Sequence, residues 1–425
     1  MGSMIKLAFR NVFRYKRRTL VTFLSVSLGL ALLIVSISLL NGSDKQASGN
    51  IINSQSSHLV IFHQGYFQNK DDLPMNLLIK DPDKIRSLVT ALPAVKMAES
   101  RILFAAGLIK GMDELPCLGI AIEPALDPEI FNIKESLVQG EWLEEDEWKM
   151  LIGKDLARDA GLSVGDTVTL RVVTSKDREE LTWNVIDLDI KGIFDSGNPA
   201  VDSQNIYIPI KQARESLVLD AEATEIVVRL HTTLPRDQEI LEAQTRIRQV
   251  LQTLPGNFEV HTWKDLAGMF LLISQGKSKR AAMIILIMLF IASMGIINTM
   301  LMAVLERTRE IGMFSALGMK SSQIRGLFIL EGGIIGVLGS SLGCILGGLG
   351  GWYLEVHGVS IGDLGNSAQK IVASTFPLKD AFYADLSVGV LVLAFVLGTV
   401  ISLVASVYPA ARAAKLDPID ALRHV

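Results

Sequence analysis

The chain has 425 residues, 49% of them hydrophobic and only 20% charged, and its mean hydropathy is +0.36. That balance excludes an ordinary soluble domain, and a net charge of −4 lacks the basic footprint of a nucleic-acid binder. Two cysteines, Cys117 and Cys344, fall in different parts of the chain and exclude a disulfide framework.

Residues 1–18 carry Lys6, Arg10, Arg14, Lys16, Arg17 and Arg18 with no acid. Met1-Gly2-Ser3, ahead of Met4, reads as a cloning leader. In MIKLAFRNVFRYKRR, Ile5, Phe9, Val12 and Phe13 share one helical face while basic residues line another. The segment predicts an amphipathic N-terminal helix in the inner membrane interface, its apolar side against acyl chains and its basic side on anionic lipid. A basic flank that only fixes orientation is the plainer reading. Residues 19–40 follow without a charge and predict the first transmembrane helix. Leu40-Asn41-Gly42 offers no small-x-small cleavage pattern, so this is read as a retained signal anchor.

Residues 41–280 form one large outer region, long enough to bury a core of its own. TVTLRVV (167–173), TWNVIDLDIKGIF (182–194) and TEIVVRLH (224–231) alternate as strands do. PRDQEILEAQTRIRQVLQTL (235–254) sets Ile240, Ile247, Val250 and Leu251 at helical spacing and stops before Pro255. GLSVGD (161–166) is a glycine-bounded turn between a helix and a strand. The expectation is an α/β (α+β) domain of two lobes, with the strand-rich part at about 112–215 inserted in the other.

Three more apolar runs follow, at 281–305, 326–354 and 386–409, and only the second of these holds a charge, Glu331. With 19–40 they make four transmembrane helices, each meeting the roughly 20 residues needed to cross the hydrocarbon layer. Lys and Arg set the orientation. The loop at 306–325 holds Arg307, Arg309, Lys320 and Arg325, and the tail at 410–425 holds Arg412, Lys415 and Arg423. In the 355–385 loop, Lys370 and Lys379 are outnumbered by Glu355, Asp363, Asp380 and Asp385. Both termini are therefore expected in the cytoplasm. Lys277, Lys279 and Arg280 fall on the outer side and are read as headgroup contacts or as part of a helix continuing above the membrane. The run at 326–354 carries Gly332, Gly336, Gly339, Gly343, Gly347 and Gly351, mostly four apart, which lets helices approach closely. Packing inside one subunit is favoured, with a sliding or dimer surface as the alternative.

Catalytic and cofactor chemistry leaves no trace. Gly276-Lys277-Ser278 imitates the end of a phosphate-binding loop, but position 271 is Leu where that pattern needs Gly. Histidines 58, 63, 231, 261, 357 and 424 form no set with metal-ligand spacing, and no Gly-x-Ser-x-Gly elbow occurs. EWLEEDEW (141–148) reads as a solvated acidic run. Glu331 is the one ionisable residue inside a span, and a shallow position lets it pair with a nearby base.

The loop between the second and third spans is the informative one. As a helix, it pairs Glu306 with Arg309 and Arg307 with Glu310 at i, i+3. Ile311, Phe314 and Leu317 form an apolar stripe, and Gly318 is placed to end the helix. Such a rigid knob serves either to dock a partner or to lie on the bilayer.

ERTREIGMFSALGMKSSQI (306–324), LFILEGGIIGVLGSSLGCILG (327–347) and VYPAARAAKLDPIDALRHV (407–425) closely resemble the permeases of the MacB/FtsX/Lol superfamily of ABC systems. LAFRNVFRYKRRTLVTFLSV and IGKDLARDAGLSVGDTVTL (152–170) do so too, and the resemblance covers nearly the whole chain. It implies four spans, a large periplasmic domain between the first two, and a cytoplasmic coupling helix at 306–318 that touches an ATPase. Glu306, Arg307, Arg309, Glu310, Ile311, Phe314, Leu317 and Gly318 would then be its coupling residues. It implies a non-enzymatic subunit of a bacterial inner-membrane complex, working by mechanotransmission. The chain would hold no cofactor, with ATP and magnesium bound by a separate ABC ATPase. A second permease copy or paralogue completes the pair. The 240-residue outer region and GIAIEPALDPEIFNIKESLVQGEWL (119–143) look most like the Lol-type lipoprotein-releasing permeases, which implies lipoprotein or other amphiphilic cargo. An FtsX-like transducer of a periplasmic enzyme and MacB-like efflux are the alternatives. VTSKDREELTW (173–183) lies where one Lol permease has a chaperone-recruiting hairpin, but it is charged and lacks proline.

Overall fold

The computed structural model describes residues 2–14, 16–174, 183–233, 235–360 and 381–416. It divides into a helical unit, Met1–Lys45, Ile273–Ser360 and Ala381–Val425, and an outer unit within Gln46–Leu272.

The helical unit opens with α1 (Gly2–Arg14) and α2 (Lys16–Ile51). α1 does not offer its whole apolar face outward. Ala8, Asn11 and Val12 are buried, while Phe9 is exposed. The side chains of Ile5 and Phe13 lie outside the described residues. α2 runs past Leu40, where the apolar stretch ends. Hydropathy marks the end of lipid contact, whereas the helix continues while its residues tolerate helical backbone, and Asn41–Ile51 contains no proline.

In the outer unit, α3 (Pro82–Thr90), α4 (Asp127–Ile130), α5 (Lys154–Ala160), α6 (Pro199–Asp202), α7 (Ile210–Leu217), α8 (Asp237–Leu251) and α9 (Trp263–Leu266) flank one sheet. The strands are β1 (Leu59–His63), β2 (Val95–Lys110), β3 (Asp113–Ile122), β4 (Leu137–Gly140), β5 (Lys149–Gly153), β6 (Thr167–Val173), β7 (Trp183–Phe194), β8 (Asn205–Pro209), β9 (Glu225–Leu230) and β10 (Phe258–Thr262). Their order is β10-β1-β9-β2-β3-β8-β5-β7-β4, with β6 paired to β2 and β7. β2 joins the two lobes. Its first half, from Val95 to Arg101, pairs with β9, and its second, from Ile102 to Lys110, pairs with β3. The pairing with β3 thus begins at Ile102, ahead of residue 112. One lobe packs Ile61, Val228, Ile240 and Ile247 in its core, the other Phe104, Leu170, Ile190 and Ile208. VTSKDREELTW lies almost wholly outside the described residues.

The remaining helices are α10 (Gly268–Glu306), α11 (Thr308–Ala316), α12 (Ser321–His357) and α13 (Val388–Ala413). Lys277, Lys279 and Arg280 lie within α10, which starts ahead of the apolar run. α13 continues beyond Pro409, which sits buried inside it. The loop 355–385 lies mostly outside the described residues, as does the tail beyond 416. Four helical stretches have the length and composition to cross a membrane: Thr19–Ser56, Ile285–Glu306, Ser321–His357 and Val388–Ala413.

The glycines of α12 divide between two neighbours. Gly332 and Gly336 face Ser406 and Ser402 of α13, whereas Gly339, Gly343 and Gly347 face Val26, Leu30 and Ala31 of α2, and Gly351 faces Leu386. At Gly347 a Cβ would stand 2.9 Å from the Cα of Ala31, so the two backbones approach at a distance only glycine allows. The stripe thus packs α12 within one subunit.

Candidate coupling site

α10 stops at Glu306 because Arg307 leaves the helical region, with φ −113° and ψ 16°, and caps α11. That turn carries the Arg307 side chain into the protein. Its Nε donates to Glu310 at 3.1 Å, and its Nη1 donates to both oxygens of Glu331 at 3.2 and 3.3 Å. Asn11 of α1 donates through Nδ2 to the same Glu331 carboxylate at 2.7 Å. Arg14 reaches Glu310 at 3.1 Å from the exposed side. Glu331, Arg307 and Asn11 are all buried. A charge in such a place persists only when paired and hydrogen-bonded, and each of these is. One node therefore ties α1, α11 and α12 together. Spacing had suggested the Arg307–Glu310 pair and a basic partner for Glu331. It missed Asn11 and Arg14, whose link to the loop is a contact across some 300 residues that no local pattern records.

The far end of α11 is closed by a Schellman arrangement. Met319 N–H donates to Phe314 O and Gly318 N–H to Ser315 O, each at 3.0 Å, with Gly318 at φ +90°. α12 restarts at Ser321, where Lys320 N–H donates to Gln323 Oε1 at 2.9 Å. The helix is thus clamped at both ends.

The expected stripe of Ile311, Phe314 and Leu317 does not form one docking face. Ile311 is buried in the apolar cluster of Met300, Val304, Ile324 and Phe328, Phe314 is half-buried, and Leu317 is 80% exposed. A helix of nine residues lying on a protein surface turns one side inward, and Ile311 with Gly312 is that side. The exposed row is Arg309, Met313 and Leu317, spaced i, i+4, i+8, with Glu306 beside it. Met313, 49% exposed, was not anticipated, although its spacing from Leu317 carried the signal. Arg307 belongs to the buried anchor and not to the exposed row.

Residues 282–418 match the family model of the FtsX-like permease C-terminal domain, and residues 19–250 match that of the MacB-like periplasmic core domain. Among characterised sequences, the lipoprotein-releasing system transmembrane protein LolC of Xylella fastidiosa is 23% identical over 96% of this chain and 94% of its own length. LolC of Neisseria meningitidis is 25% identical over 96% of this chain and 94% of its own length. The macrolide export ATP-binding/permease protein MacB of Acinetobacter baylyi is 24% identical over 99% of this chain and 59% of its own length. The solved periplasmic region of MacB from Actinobacillus actinomycetemcomitans aligns with 50% of this chain and 91% of its own, at 14% identity and a TM-score of 0.35.

Proposed function

Since the chain belongs to the MacB/FtsX family of ABC-transporter permeases, we propose that α11 is its coupling helix and that the subunit transmits ATPase motion mechanically. A separate nucleotide-binding subunit docks on the row of Arg309, Met313 and Leu317. The observation that carries this reading is the pairing of that exposed row with a buried, charge-locked anchor on the opposite side of a nine-residue helix. Push on such a helix and it moves as a unit. Arg307 passes the displacement to Glu331 of α12, and the Glu331 carboxylate passes it to α1 through Asn11. The close-packed glycines of α12 pass it on to α2 and α13. Both termini and α11 lie on the cytoplasmic side in this reading, and the MacB-like core domain does its work in the periplasm. A second permease copy or paralogue completes the membrane dimer.

The cargo we favour is a lipoprotein extracted from the inner membrane, supported by two LolC relatives that align over nearly their whole lengths. A second reading, export of a small amphiphile, is supported by the equally full coverage of this chain by MacB.

The test is mild-detergent purification from native membranes with mass spectrometry of what stays bound. The wild type is expected to retain an ABC ATPase together with acylated proteins. Met313→Asp with Leu317→Asp should lose the ATPase while inserting in the membrane normally. Unchanged ATPase retention in the double variant would overturn the docking assignment.

A further inference from the structure

The outer unit contains a cleft of about 620 Å³ at the junction of its lobes, within the range that holds small organic ligands. Leu103 and Ala105 of β2, Leu118 of β3 and Phe62 of β1 give it apolar walls. Glu225 also lines it, from the central strand β9, between Phe62 on one neighbouring strand and Arg101 on the other. This carboxylate is 5% exposed and, among the described residues, forms no ion pair.

The nearest cation is already committed. Arg101 is bonded to Asp127, lies 3.5 Å from Glu99, and has its guanidinium 3.6 Å from the centre of the Phe131 ring. One arginine thus serves two buried acids, and Glu225 is left over. Tyr66 lines the same cleft, buried and stacked on Phe62 at 5.1 Å, with its hydroxyl enclosed beside Thr224. At the rim, Lys70 and Asp71 carry opposite charges, so Glu225 sets the sign of the site.

We propose that this cleft binds an amphiphilic organic cation, a protonated or quaternary amine on an aromatic body. The cationic centre rests on Glu225, and the body lies between Leu103, Ala105 and Leu118. A buried acid facing an apolar cavity is stabilised most by a cation that brings its own apolar surface and excludes water. Burial raises the Glu225 carboxyl to about 7, which the Arg101 charge only partly offsets, so a bound cation would also hold it ionised.

The experiment uses the full chain in phosphatidylcholine nanodiscs, with empty nanodiscs as blank. Ethidium serves as the aromatic cation and anilinonaphthalene sulfonate as the anionic counterpart, each followed by fluorescence. The wild type should bind ethidium saturably at one site and more tightly than the anion. Glu225→Gln, which keeps the shape and removes the charge, should raise the ethidium Kd at least ~10-fold. Ala105→Trp, which fills the cleft from an exposed strand position, should abolish binding with the carboxylate intact. Non-saturable binding, equal affinity for the anion, or retention of ethidium by Ala105→Trp would overturn the proposal. Should Glu225→Gln fail to fold, Ala105→Trp decides alone. The site uses the outer unit only, so its failure is separate from loss of ATPase docking.

Discussion

Arg307 and Glu331, 24 residues apart on either side of a helix reversal, meet as a buried pair with Nη1 at 3.2 Å from Oε1. Removing Arg307 leaves the buried Glu331 charge with the neutral Asn11 donor in place of its cation, a cost on the order of 3–5 kcal/mol, and removing Glu331 leaves Arg307 with its pair to Glu310 alone. Replacing both by apolar residues removes the desolvation penalty along with the attraction. Arg307→Met and Glu331→Leu are therefore expected to lower the thermal midpoint of the purified protein strongly when single, and much less together. Strict additivity in that double-mutant cycle would show that the two side chains do not act as a pair. Under the proposed coupling role, the double variant should still lose ATPase stimulation, since the charged link from α11 to α12 is gone.

The two contacts from α1 to this node differ in environment, and so should their variants. Asn11 is buried and donates to Glu331 at 2.7 Å, whereas Arg14 is 59% exposed where it meets Glu310. Asn11→Leu leaves a buried carboxylate one donor short, at about 1–3 kcal/mol. Arg14→Ala removes a solvent-screened bridge worth about 0–1 kcal/mol. Thermal stability of the two single variants, compared in the same detergent, checks the ranking. A larger loss in Arg14→Ala would contradict the burial argument.

How much of this was legible in the sequence depends on how local each signal is. The four candidate membrane helices show as long apolar runs, and β6, β7, β9 and α8 show as clean periodicities bounded by turn residues. β2 does not. Its stretch RILFAAGLIK is apolar almost throughout because Ile102, Phe104, Ala106 and Leu108 enter the core on one face while Leu103 and Ala105 line the cleft on the other, so the apolar–polar alternation that betrays a half-buried strand is absent. Within the candidate coupling site, the Arg307–Glu310 spacing is visible to the eye, and so is the end of α11 at Gly318. That Ile311 turns inward while Met313 turns outward is decided by what α11 lies against. Neither Asn11 nor Glu225 carries any local mark: one is defined by a contact across 320 positions, the other by a cation engaged elsewhere.

Helix packing around α12 gives a third prediction. A methyl group at position 347 would stand 2.9 Å from the Cα of Ala31, whereas one at Gly295 of α10 meets nothing within 4 Å. Gly347→Ala forces α12 and α2 apart and should cost about 1–3 kcal/mol. Gly295→Ala removes only backbone freedom and should leave the thermal midpoint unchanged or higher. Equal behaviour of the two variants would mean that the stripe is not a close-packed contact in the membrane.

The last prediction concerns pH and two buried groups of the outer unit with opposite effects. His58 is held neutral. Its Nδ1 accepts from Leu230 N–H at 3.0 Å while Nε2 meets Thr233 O at 3.1 Å, and burial lowers it from 6.5 to about 4. Protonation would place a hydrogen on Nδ1 against the Leu230 donor. Its stabilising contribution is therefore complete above pH 6.5 and is lost as pH falls towards 4. Glu225 is raised from 4.5 to about 7 by burial, so between those values the folded state keeps a proton that the unfolded state has released. Its penalty is absent below pH 4.5 and complete above pH 7. Between pH 8 and pH 5 each group changes stability by about 2 kcal/mol, in opposite directions. Relative to the wild type, Glu225→Gln should gain stability as pH rises through this window. His58→Gln should instead fall furthest behind at pH 8 and recover towards pH 5. Urea midpoints of the full chain in nanodiscs, followed by intrinsic tryptophan fluorescence from pH 5 to 8, read both slopes. Parallel curves for wild type and both variants would show that neither group changes protonation on folding.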